Sequence, residues 1–144
     1  MKRPFDPSVD VHIDFLRHHV RDGIASGAAR LLRRAQEILL SAHEQAAAIK
    51  KSAPLPVAEG DAPLEPIAVE AARTLDGVER EAAGYLARLS QLEKLQSTEA
   101  RKEVWELRLA HGAVEYVLRE KRSELQKLVP AAVAARGGGV LYAA

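Results

Sequence analysis

The chain has 144 residues, with 21 Lys and Arg against 20 Asp and Glu, and it contains no cysteine. The missing thiol excludes disulfides, thiolate zinc sites, iron–sulfur clusters and cysteine nucleophiles, and the balanced charge gives no general pull toward nucleic acid. Hydrophobic residues make up 47%, but 26 of them are alanine and only six are aromatic. Alanine favours helix yet removes little surface from water, so the composition points to long helices in close contact rather than a thick core.

The opening "MKRPFDPSVD" has no apolar run after its basic residues, so it does not read as a secretory signal. In "FDPSVD", Asp6 can cap free helical amides, and Pro7 suits a first helical position. Then follow Val9, Ile13, Leu16, Val20, Ile24, Ala28, Leu31, Ala35, Ile38, Ala42 and Ile49. Steps of three and four mark one face of a helix. The spacing predicts a single helix from Pro7 to Lys51, roughly 67 Å long, as the first unit of the chain (1–51). Gly23 and Gly27 mark either a kink or a place where another helix approaches closely. The apolar series passes through both without a phase change, which favours continuity.

The stretch 52–66, "SAPLPVAEGDAPLEP", carries four prolines and a glycine. Proline removes amide donors and disfavours helix in the residue before it, so this reads as an extended linker. It has the length to fold the next helix back on the first. From Ile67 the helical spacing resumes through Ala71, Leu75, Val78, Ala82, Leu86, Leu89, Leu92 and Leu95. One helix over 67–129 is slightly favoured over two helices broken near 96–98, where Ser97 or Thr98 could cap a second. Its later part carries two adjacent stripes, one with Val104, Leu107, His111, Val114 and Leu118, the other with Trp105, Leu109, Ala113, Tyr116 and Val117. Together they form a wider apolar face than one neighbouring helix covers. Gly77, Gly84 and Gly112, spaced by multiples of seven, are either ordinary small residues or a flat groove for helix approach. The last unit, 130–144, reads as a short helix from Pro130 followed by a glycine-rich apolar tail.

Sites for chemistry are hard to find. His12, Asp14, His18 and His19 lie close in sequence, but no second ligand pair of matching type accompanies them, so no metal is expected. His111 falls in the apolar stripe and reads as a packed core histidine. There is no G-x-S-x-G elbow and no phosphate-binding loop. The carboxylates alternate with bases in the pattern of solvated helical faces. The expectation is therefore a protein without catalytic residues, cofactor or small-molecule substrate.

The fold expected is all-α: long helices forming an antiparallel hairpin or three-helix bundle with coiled-coil-like packing and a proline-rich connection. The function expected is a structural or assembly subunit of a larger complex, such as a virion or multi-subunit machine. Its contacts would be protein partners or further copies of itself, reached through Trp105, Leu109 and Tyr116 and through a tail anchor of Val140, Leu141 and Tyr142. A frayed tail is the plainer alternative. A small helical chaperone or adaptor for a protein client is the second reading. The third is nucleic-acid binding through Arg17, Arg21, Arg30, Arg33 and Arg34, since residues 1–51 hold nine bases against six acids. The acids between these arginines and the lack of interleaved aromatics weigh against it. No segment has the apolar length of a membrane span, so the expected location is the cytoplasm or a virion.

Overall fold

A computed structural model describes residues 6–52 and 64–128; the side chains of 50–52 and 128 lie outside that description. The rest of the proline-rich stretch, the short helix expected from Pro130 and the tail anchor Val140, Leu141 and Tyr142 also lie outside it. The described chain is all-helical: α1 (Pro7–His19), α2 (Asp22–Ser52), α3 (Glu65–Leu92) and α4 (Thr98–Leu128).

The single helix expected over 7–51 is corrected to two. Helix α1 starts on an extended Asp6 whose carboxylate accepts the Val9 amide at 3.4 Å, with Pro7 next and Arg17, His18 and His19 against the negative helix end. It stops at Val20, whose backbone is extended (φ −128°, ψ 161°). The carbonyl of Arg21 then accepts the Ala25 amide at 3.0 Å and opens α2. The break lies at neither glycine, since both Gly23 and Gly27 fall inside α2. Asp22 stands in the first turn of α2, where an acid meets the positive helix end.

The one helix slightly favoured over 67–129 is likewise corrected to two. Helix α3 ends with the Glu93 amide on the Leu89 carbonyl at 2.9 Å. Ser97 Oγ then accepts the Ala100 amide at 3.0 Å and caps α4. The two breaks differ in what holds them. At the first break the apolar stripe keeps its phase, so periodicity passes over the turn; at the second the local Ser97 cap marks the new start.

Ion pairs reveal the helix directions. On α3 and α4, Glu93 pairs with Arg108 at 2.6 Å and Glu79 with Arg122 at 2.7 Å, so these helices run oppositely. Arg30 and Arg34 of α2 both reach Glu81 of α3, while a groove farther along α2 at Gln45 is shared with Ile67. Helix α3 is therefore antiparallel to α2 as well. The start of α1 lies against the end of α4 through Ser8–Glu120 and Asp6–Lys121, and its other end lies against Glu106 through Arg21. Helices α2, α3 and α4 each pack on the other two, and α1 folds back onto α2 and α4. Among the described residues four helices thus stand where an antiparallel hairpin or three-helix bundle was expected.

The main core draws Val9, Ile13 and Leu16 from α1, Leu31 and Leu32 from α2, Leu75 and Val78 from α3, and Val114, Val117 and Leu118 from α4. A smaller cluster of Leu89, Leu92, Ala100 and Leu107 closes the end at the α3–α4 turn. Buried Ala25, Ala28, Ala29, Ala35, Ala42 and Ala46 line α2, where small side chains let neighbouring helices approach. The glycines at 77, 84 and 112 do not form a packing groove: a Cβ at Gly84 or Gly112 would meet nothing within 4 Å, and one at Gly77 would meet only the Arg80 side chain.

Candidate protein-binding face

Residues 105, 109, 112 and 116 recur at helical spacing on one side of α4. Trp105 is 51% exposed and Tyr116 is 47% exposed. Leu109 differs from its neighbours: it is half-buried and packs on the main core, so it supports the face from beneath. Gly112 between them is exposed and adds no side chain.

Helix α1 borders this face. The His12 ring lies 5.1 Å from the Tyr116 ring, and His12 Nδ1 is held 2.7 Å from the Ser8 carbonyl. One turn on, the exposed Phe15 ring stacks 4.2 Å from His19. The contacts Ser8–Glu120, His12–Tyr116 and Arg21–Glu106 fix the register, which brings Phe15 level with Gly112. The ring contact between the two helices is His12 with Tyr116, while Phe15 stays exposed on α1 against His19. Near Trp105 a second shallow groove of ≈ 510 Å³ runs along the α3–α4 turn, lined by Leu92, Leu95, Val104, Trp105 and two arginines. Leu95, expected inside the helical series, is exposed in the turn, and Leu86 is exposed on α3.

Phe15 and Val11 were not singled out as surface residues by the sequence, yet a signal for them exists. Both are apolar and both fall outside the stripe Val9, Ile13, Leu16 and Val20, so they cannot face the same core.

The five arginines offered for phosphate contact do not share one surroundings. Arg21 bonds the buried Glu106 through Nε at 2.8 Å and through its amide at 2.9 Å, and it lies 3.5 Å from Glu103. Arg30 and Arg34 share Glu81 at 3.6 and 3.9 Å. Arg33 is half-buried, and Arg17 is exposed on α1. Acids from α3 and α4 therefore meet three of the five.

Among the described residues no group of three or more His, Cys, Asp or Glu could hold a metal ion. Asp14 and His18 form an exposed pair at 3.6 Å, and His111 is half-buried beside Glu115 at 3.6 Å. Burial pushes the Tyr85 hydroxyl above its ordinary pKa, opposed by Arg30 and aided by Glu81. Burial alone would lower Arg122, but hydrogen bonds to Asp76 and Glu79 overcome this and hold it above its ordinary value. Arg122 ties α4 to α3 through these two acids. Among the described residues no helix is long and apolar enough to cross a membrane.

No protein-family model matches the chain, and no curated protein or solved structure matches it.

Proposed function

We propose that this chain is a non-catalytic helical subunit that binds other proteins, or further copies of itself, through the aromatic face of α1 and α4. The observation that carries this reading is the exposure of Trp105 and Tyr116 on one side of α4, extended by Phe15 from α1. Burying half-exposed aromatic rings is a large driving force for association, and Trp and Tyr dominate interface energetics. The role suits a component of a larger particle, such as a virion or multi-subunit machine. In this reading Val140, Leu141 and Tyr142 add a second anchor on the partner.

The protein provides its own reporter, because Trp105 is the single tryptophan in the chain. Its emission should shift to the blue as protein concentration or partner concentration rises, and light scattering should show the matching mass. Trp105→Ala and Tyr116→Ala should remove the association while leaving the fold intact. A wild-type protein that stays monomeric, with unshifted emission in the presence of its co-purifying proteins, overturns the proposal. Brief binding of unfolded clients without a lasting complex supports the chaperone reading instead.

A further inference from the structure

The break between α1 and α2 holds two features that do not agree locally. The apolar residues Val9, Ile13, Leu16 and Val20 continue into Ile24, Ala28, Leu31 and Ala35 in steps of three and four. A straight helix would carry all of them on one side. The extended backbone at Val20 nevertheless separates the amides of residues 21–24 from the carbonyls of 17–20, which a continuous helix would pair. What replaces the lost pairing comes from another helix. Glu106 of α4, 2% exposed, accepts the Arg21 amide at 2.9 Å with one oxygen and Arg21 Nε at 2.8 Å with the other. The bend is therefore held by a tertiary latch on a stretch whose own pattern favours straightness.

We infer that α1 is an exchangeable arm: it straightens into α2 and packs in the α1 position of a second copy of this chain. The two-residue hinge of Val20 and Arg21 and the antiparallel return of α1 along α2 fit this geometry. Two straightened helices, each about 69 Å from Pro7 to Ser52, would lie antiparallel about a twofold axis near the hinges. Every α1 contact is then remade with the partner: its core residues, Asp6 with Lys121, Ser8 with Glu120 and His12 beside Tyr116. The exchanged form gains the backbone bonds across the hinge and loses the Glu106 latch. Short hinges favour such exchange. This inference does not rest on the aromatic face as a binding site.

Residue 22 tests it in both directions. Asp22 is exposed and stands in the first turn of α2. Asp22→Ala removes an acid that suits a helix start and places the best helix former where a continuous helix would run. Asp22→Pro suits the first position of α2 but is excluded from the interior of a straight helix. Because the chain has no cysteine, Ser8→Cys with Glu120→Cys can be bridged by a short bis-maleimide in either background. Each protein is unfolded, refolded at high and low concentration, cross-linked and sized under denaturing conditions. The expected result is a rise of about tenfold or more in the dimer association constant for Asp22→Ala, with bridges between chains. Asp22→Pro should stay monomeric with bridges within one chain. Bridges within one chain for both variants at all concentrations overturn the proposal. So does a dimer whose bridges stay within each chain, which would be association through the outer face.

Discussion

A buried carboxylate is tolerated only where donors replace its water, and Glu106 meets that condition with two bonds from Arg21. Glu106→Ala leaves the Arg21 amide without its acceptor and should cost about 3 kcal/mol by urea unfolding. A loss under about 1 kcal/mol would show that water satisfies the break as well as the carboxylate does. Tyr85 gives a second prediction. Its pKa is raised in the folded state by burial, so the protonated hydroxyl is favoured by folding. Its contribution is fully present below the unfolded tyrosine value of 10.0 and declines as pH rises through the higher folded value. Tyr85→Phe should lose less stability than wild type between pH ~9 and ~11, compared by denaturant midpoints. Neither residue is conspicuous locally. Glu106 sits in "VWELRL" like any surface acid, and its partner is 85 positions away.

At the level of single helices, glycine is the clearest lever. Gly84 and Gly112 stand inside α3 and α4, and an added Cβ meets nothing within 4 Å at either. Gly84→Ala and Gly112→Ala should each stabilise the fold by about 0.5–1 kcal/mol, adding nearly independently. Calorimetry checks this; no gain at Gly84 would mean that α3 is not helical there in solution. Gly112→Ala carries a second consequence, because Gly112 lies between Leu109 and Tyr116 on the exposed side of α4 and an added methyl would stand on that surface. It should weaken association while raising stability, a combination that separates binding from folding. Core helices respond in the opposite sense: Leu118 is fully buried, and Leu118→Ala should cost about 2–5 kcal/mol.

For the molecule as a whole, charge and apolar surface predict different behaviour with salt. Arg21, Arg30 and Arg34 meet acids of α3 and α4, whereas Trp105, Tyr116 and Phe15 remain exposed. Association through these rings should persist between ~0.05 and ~0.5 M salt, where phosphate-based binding would fall by orders of magnitude. A steep loss with salt would favour the arginines over the rings. Deleting residues 137–144 should weaken the complex if the tail anchors it. Unchanged assembly would remove the tail from the proposed contacts.

The sequence by itself determined the class of the molecule. Alanine content, apolar steps of three and four, Asp6 with Pro7, and Ser97 as a cap are local features, and each acts within a turn or two of helix. They carry the all-helical fold, the start of α1 and the spacing that puts Trp105 and Tyr116 on one side. Tertiary structure decided where the helices stop and which faces are covered. At Val20 the helix stops and Glu106 of α4 accepts the Arg21 amide, while the stripe through the break keeps its phase and hides the turn. Leu86 and Leu109 show the same limit: both read as apolar face, yet one is exposed and the other packed. Periodicity reports which side of a helix is apolar, but only the partners brought there by folding determine whether water is removed.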